Sequence, residues 1–157
     1  MESADLIGLM NFEAVWQRVQ NEKADTKIES AKQLERLIEL TYERMCGSKR
    51  LAQLTCGGER KRLMQLSECL KKRYVRWQLL CFLMTGEVHF ASCDANFASY
   101  TPYNLRKLWQ STVENAELIE KCNFPENMNF LAELDRSREE LACERKLLED
   151  LIARLLW

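Results

Sequence analysis

Three charged side chains occupy positions where helical patterns place apolar ones, and they carry the clearest chemical potential in this sequence. Arg73 lies midway between Leu66 and Leu80, in a run of apolar residues spaced at three- and four-residue steps. Glu35 and Glu144 occupy similar positions in two other helical stretches. A buried charge without a partner is costly, so a buried Arg73 needs an acceptor. Alternatively, all three lie at the edge of the core and their long stems carry the charges to water.

The histidine and cysteine residues are not spaced like a metal site or a disulfide framework. The only histidine, His89, lies in a stretch without helical periodicity and has no second imidazole to form a ligand pair. The seven cysteines stand singly, without a C-x-x-C pair, at positions 46, 56, 69, 81, 93, 122 and 143. This pattern predicts reduced thiols, and Cys56 and Cys93 are the candidates for reactivity because both lie in predicted loops.

Composition assigns the chain to ordinary globular proteins of one domain. Its 157 residues are enough to bury a core. Lys and Arg number 23 against 24 Asp and Glu, which gives no general electrostatic attraction to nucleic acids or anionic membranes. No stretch approaches the roughly 18 apolar residues of a membrane span, and the acidic start Met1–Asp5 is unlike a secretory signal. We therefore expect a cytoplasmic protein that binds neither nucleic acid nor membrane.

Apolar periodicity predicts one short helix followed by four long ones. The short helix runs from Asn11 to about Glu22, in an N-terminal arm of residues 1–27 that precedes a bundle of residues 28–157. The polar stretch Asn21–Lys27 is predicted to be a loop. The long helices are predicted from about Ile28 to Met45, closed by Gly47, then Gly58–Gly86, Pro102 to about Lys121, and Met128 to the C-terminus.

The links between the long helices differ in length. The segment from Gly86 to Tyr103 has no helical periodicity, which is typical of a crossover along a bundle. The links before the second and fourth long helices are short, the latter at Asn123–Asn127. The inward face of the fourth long helix is predicted to extend from Leu131 to Leu155. This outline is that of a ferritin-like bundle, in which facing helices supply a central site.

Four local stretches resemble the rubrerythrin-type ferritin-like proteins of anaerobic bacteria, in the same order along nearly the whole chain. They are Trp16-Gln17-Arg18-Val19, Phe82-Leu83-Met84-Thr85-Gly86-Glu87, Leu105-Arg106-Lys107-Leu108-Trp109 and Leu141-Ala142-Cys143-Glu144-Arg145-Lys146-Leu147. The resemblance implies an all-α, ferritin-like four-helix bundle with a long crossover between its second and third helices.

In such proteins two metal ions are bound by a Glu on each of two helices and by Glu-x-x-His on the other two. The resemblance places the six ligand positions at Glu35, Leu70, Arg73, Thr112, Glu144 and Leu147. Only Glu35 and Glu144 are carboxylates, and the guanidinium of Arg73 would repel a cation. The resemblance therefore implies a site that has lost its metals, without a cofactor, in which Arg73 pairs with Glu35 and Glu144.

The leading functional hypothesis is a non-catalytic bundle that acts as an interaction or structural protein, with a second copy or another protein as partner. The exposed aromatic candidates for such contacts, each of which also fits core packing or loop anchoring, are Phe12, Trp16, Phe90, Phe97, Tyr100, Tyr103 and Trp157. The alternative is a metal-dependent oxidoreductase with an altered site formed by Glu35, Glu144 and Glu114.

A third hypothesis is nucleic-acid binding through a basic face of the second long helix. That face consists of Arg60, Lys61, Arg62, Lys71, Lys72 and Arg76. The balanced charge of the whole chain favours a solvated helix face instead.

Overall fold

The regular structure is helical throughout the residues that the computed structural model describes, which are 2–93, 96–122 and 128–157. Side chains are described for 14–18, 29–93, 96–122 and 130–157. The helices are α1 (Glu2–Gln53), α2 (Gly57–Thr85), α3 (Pro102–Lys121) and α4 (Met128–Leu156). The predicted all-α class is confirmed. None of the helices, over the described residues, combines the length and apolar character needed to cross a membrane.

The first helix is longer than predicted and is continuous through its middle. α1 runs from Glu2 to Gln53 and includes the whole stretch Asn21–Lys27. The prediction of a separate short helix, Asn11–Glu22, followed by a loop is therefore wrong. The stretch contains neither Pro nor Gly, and its Glu, Lys and Ala residues are good helix formers. A run of polar residues is therefore not by itself a helix break.

Gly47 lies inside α1 and does not close it. A Cβ atom at this position would lie 2.8 Å from Cδ2 of Leu108 and 3.0 Å from Cε2 of Phe97. The glycine therefore permits α3 and the segment that precedes it to approach α1 closely. The prediction that Gly47 ends the helix is wrong because close packing, rather than a turn, requires the missing side chain.

The substitution Gly47→Val is expected to lower the free energy of unfolding by about 1–3 kcal/mol, because its methyl groups would overpack against Leu108 and Phe97. Gly58→Ala is the matched control, since nothing lies within 4 Å of a Cβ added there. That change is expected to raise the free energy by about 0.4–1 kcal/mol. Urea titration measures both, and a stabilised Gly47→Val variant would show that the approach is not tight.

The predicted limits of the second and third long helices agree with the structure to within a residue. α2 ends at Thr85 and is capped by Gly86, whose φ of 78° is left-handed and whose N–H donates to the carbonyl of Phe82. α3 begins at Pro102, after Thr101 accepts a hydrogen bond from the N–H of Asn104. The predicted interruption Asn123–Asn127 lies outside the described residues.

Two hydrophobic clusters fill the core, and every helix contributes to both. The first cluster consists of Leu34, Leu37, Ile38, Trp77, Leu80, Cys81, Ile119, Phe130, Leu134 and Leu141. The second cluster consists of Leu51, Ala52, Leu63, Leu66, Leu70, Leu105, Leu108, Leu148 and Leu151. The order in which each helix reaches the clusters shows that α2 and α3 run in one direction and α1 and α4 in the other. α1 and α4 each pack against both α2 and α3, whereas in the described residues the backbones of the two diagonal pairs, α1 with α4 and α2 with α3, stay more than 8 Å apart between Cα atoms.

The segment between α2 and α3 passes along α1. Its His89 lies 3.3 Å from the carboxylate of Glu39, measured from Nε2 to Oε1. Farther along, the carbonyl of Phe97 accepts a hydrogen bond from Nε of Arg50 at 3.1 Å. Glu39 and Arg50 are eleven residues apart, or about 16 Å along a helix. The segment thus leaves α2 beside the first cluster and enters α3 beside the second.

The inward face of α4 differs from the prediction at both ends of the helix. Leu131 is 50% exposed and Leu155 is 40% exposed, although both are predicted to face inward. Phe130 occupies the buried position at the start of the helix and turns Leu131 outward. Leu155 lies in the last turn, beside the exposed Leu156. The heptad pattern is therefore obeyed in the middle of α4 and not at its ends.

Candidate functional site

A layer of buried polar side chains separates the two hydrophobic clusters, and all four helices contribute to it. We call it the central polar layer; it consists of Thr41, Arg44, Arg73, Thr112, Asn115 and Glu144. Each of these residues lies between the last residue of one cluster and the first residue of the other on its own helix. The layer therefore occupies the middle of the bundle, where a site between facing helices would lie.

Arg73 lies at the centre of this layer and is fully buried. Its Nε donates a hydrogen bond to Oε2 of Glu140 at 2.8 Å, and its Nη2 donates to Oε1 of Glu144. Burial acts to lower the pKa of Arg73, but the charges and hydrogen bonds of Glu144 and Glu140 outweigh it and raise the pKa. The guanidinium therefore remains a cation inside the bundle.

Arg44 supplies a second buried guanidinium to the same carboxylate. Its Nη2 lies 3.1 Å from Oε2 of Glu144, and its side chain is 2% exposed. Burial lowers the pKa of Arg44 to about 10, although the charge of Glu144 opposes this shift. Arg44 thus remains protonated at neutral pH, and Glu144 is shared by two arginines.

An outer set of ion pairs connects the layer to the groove between α2 and α4. Arg76 donates to both oxygens of Glu133 at 2.9 Å and to Glu140 at 2.9 and 3.0 Å. Arg136 donates to Glu140 at 3.2 Å. Burial opposes ionisation of Glu140, but Arg73 and Arg76 outweigh it and lower its pKa. Charged side chains, rather than leucines, therefore join α2 to α4 at this level.

Of the three charged residues predicted to meet, the structure brings together Arg73 and Glu144 and leaves Glu35 apart. The ion pairs of Arg73 within the described residues are with Glu140 and Glu144. Glu35 is half-buried beside the first cluster, about 13 Å from Arg44 by helical rise. It lies near Cys81, whose pKa is raised by burial and then by the charge of Glu35. Glu35 is therefore too far along α1 to be the partner of Arg73.

Sequence reasoning missed four members of this network: Arg44, Arg76, Glu133 and Glu140. Arg44 lies seven residues after Leu37 and seven before Leu51, which is the same signal that identifies Arg73. On α4, the two missed glutamates are seven residues apart, and Glu140 is one turn before Glu144. These spacings place complementary charges on facing helix surfaces.

The positions predicted to have lost metal ligands are filled by packing or local hydrogen bonds. Leu70 is buried in the second cluster, and Leu147 packs against that cluster. The hydroxyl of Thr112 donates to the carbonyl of Leu108 at 2.9 Å. Glu114, a ligand of the alternative hypothesis, is exposed and lies 3.3 Å from Nη2 of Arg36. In the part of the chain that the structure describes, no three His, Cys, Asp or Glu residues form a group that could hold a metal ion.

The central polar layer has more hydrogen-bond donors than acceptors. All three guanidinium nitrogens of Arg44 and Nη1 of Arg73 are buried without a hydrogen-bond partner among the described residues. Oε2 of Glu144 is also buried without one there, so Arg44 and Glu144 interact by charge at 3.1 Å rather than through a hydrogen bond. The amide of Asn115 is also buried without one there. Since Glu144 forms ion pairs with both arginines, the stability of the layer depends strongly on that single carboxylate.

All seven cysteines are free thiols. Burial, followed by the charge of Glu140, raises the pKa of Cys69, and burial raises that of Cys122 to about 11. Both therefore stay protonated and unreactive at neutral pH. Of the two candidates for reactivity, Cys56 is exposed and Cys93 is partly buried.

On the basic face of α2, two arginines contact other parts of the bundle and three lysines are exposed. Arg60 donates to the carbonyls of Ala52 and Gln53 at the end of α1, and Arg76 is part of the ion-pair network. Lys61, Lys71 and Lys72 are exposed.

The aromatic candidates for intermolecular contacts also separate into two groups. Those that are exposed over more than half of their surface are Trp16, Phe90, Tyr103 and Trp157. Phe97 and Tyr100 instead pack against the second cluster. The side chain of Phe12 lies outside the described residues.

Comparison with protein-family models, curated proteins and solved structures gives no match to this chain, so its function rests on the residues and geometry above.

Proposed function

We propose that this protein is a ferritin-like bundle of rubrerythrin type in which internal ion pairs have replaced a di-metal site, and that it acts as a non-catalytic interaction or structural protein. The observation that carries the proposal is the fully buried guanidinium of Arg73, which binds Glu144 and Glu140 at the middle of the bundle. Arg44 binds the second oxygen of Glu144.

The arrangement of the helices supports the ferritin-like part of the proposal. α2 and α3 run in the same direction, and in the described residues no Cα atom of one lies within 8 Å of a Cα atom of the other. The segment between them follows α1 from near Glu39 to near Arg50, as a crossover along the bundle requires. The short link between α1 and α2 is that of an antiparallel helix pair.

The charges at the middle of the bundle support a function without metal catalysis. A di-metal site needs several free carboxylates to offset its charge, whereas Glu140 and Glu144 are already bound to guanidinium groups. Two buried arginines would also repel an incoming cation. The alternative oxidoreductase would therefore need Glu144 to leave both arginines, and Glu114 and Glu35 to move toward it.

Metal analysis of the purified protein tests this proposal. After mild purification and incubation with Fe(II) or Mn(II), we expect far less than one ion per chain by elemental analysis, because the central carboxylates are neutralised internally. Glu35→Ala provides the control, since its metal content should equal that of the wild type. Recovery of about two ions per chain, lost in Glu35→Ala, would overturn the proposal and support the oxidoreductase.

A further inference from the structure

An exposed apolar row follows the outer face of α2, away from the central polar layer. Val75, Leu79 and Leu83 are spaced four residues apart and are 55%, 56% and 61% exposed. Phe82 lies beside this row and is 47% exposed. Soluble monomers expose single apolar side chains routinely, but a contiguous group of large ones marks an interaction site.

Charges of opposite sign stand at the two ends of the row. Lys71 precedes Val75 by one turn, and Glu87 follows Leu83 just beyond the cap of α2. Both are exposed, and in the described part of the chain neither forms an ion pair. A row with four-residue spacing is the ridge that helices use in the commonest class of helix packing.

The row is complementary to itself under a two-fold rotation. If two α2 helices cross in opposite directions with the axis at Leu79, Val75 of one copy faces Leu83 of the other. Lys71 then faces Glu87 at each end of the contact. The same surface thus provides both the apolar centre and the matched charges that a symmetric interface requires.

We infer that a second copy of this chain docks on the row Lys71–Glu87 of α2, forming a symmetric dimer. This inference rests on the proposed interaction function and names its partner. The apolar part of the row is smaller than the roughly 800 Å² that each partner contributes to a standard interface. The dimer is therefore in equilibrium with the monomer and dissociates on dilution.

Sedimentation velocity of the full chain over a wide concentration range tests the inference. The wild type should shift from monomer to dimer as concentration rises. Leu79→Arg should remain monomeric, because it places two cations at the two-fold axis. Leu131→Arg is the matched control, since Leu131 is an equally exposed leucine on α4, and it should dimerise like the wild type. Circular dichroism should show that both variants retain their helix content.

A charge exchange tests the orientation of the two copies. Lys71→Glu and Glu87→Lys should each weaken the dimer by about tenfold, because like charges then face each other. The double variant should restore the wild-type affinity. A wild type that is monomeric throughout, or a dimer indifferent to Leu79→Arg, would overturn the inference.

These outcomes are independent of the metal test. Metal binding at the centre would refute the proposed function. A wild-type protein that does not dimerise would leave that proposal intact and would refute only the inference that its partner is a second copy.

Discussion

Replacing Arg73 with leucine is expected to lower the free energy of unfolding by about 3–5 kcal/mol. The change would leave Glu144 and Glu140 inside the bundle without the guanidinium that both of them bind. Urea or guanidinium titration followed by circular dichroism measures the loss. A neutral effect would mean that Arg73 lies at the surface, and the account of a replaced metal site would fail with it.

A triple variant distinguishes the cost of an unpaired buried charge from the cost of altered packing. When Arg73→Leu is combined with Arg44→Met and Glu144→Leu, all three groups of the shared ion pair are removed together. Glu140 retains Arg76 and Arg136 as partners. The triple variant should therefore be more stable than Arg73→Leu alone, because well-packed apolar residues often replace buried ion pairs at little cost. Equal or greater destabilisation would show that the ion pairs are a net source of stability.

Removing Glu144 is expected to have an effect of similar size. Glu144→Leu would leave Arg44 and Arg73 close together in the interior with their shared carboxylate gone, at a cost of about 3–5 kcal/mol. The same denaturant titration measures it.

Glu35→Leu provides the comparison, because Glu35 is also a half-inward glutamate but has no place in the network. Its effect is expected to stay within about 1 kcal/mol. Similar losses for the two variants would place Glu35 in the central polar layer and contradict the geometry.

The sequence predicts the end of α2 and the start of α3 well because a residue with a local physical effect sets each of them. Pro102 starts α3, and Gly86 caps α2 in a conformation that other residues rarely adopt. α1 is harder to predict because two features of its sequence resemble helix ends and are not. The polarity of Asn21–Lys27 does not oppose helix formation, and Gly47 is fixed by a distant contact with Leu108.

The sequence predicts that charged side chains lie in the core, but it does not predict which of them form ion pairs with each other. A charge in an apolar stripe identifies Arg73, and the same criterion applied to α1 finds Arg44. The partner of a charge depends on the height of each helix relative to its neighbours, which periodicity does not provide. Glu35 and Arg44 both lie on α1, and their nine-residue separation decides which of them lies at the level of Arg73 and Glu144.

The ion-pair network has a further consequence for the alignment of α2 and α4 along their axes. If α4 slipped by one turn, about 5.4 Å, in one direction, Leu148 would take the place of Glu144 beside Arg73. A slip in the other direction would bring Arg136 to the place of Glu140, with its guanidinium against those of Arg73 and Arg76. Leucine clusters alone tolerate such shifts, since one leucine can replace another. The buried charges penalise both alternatives and thereby select a single register for the two helices.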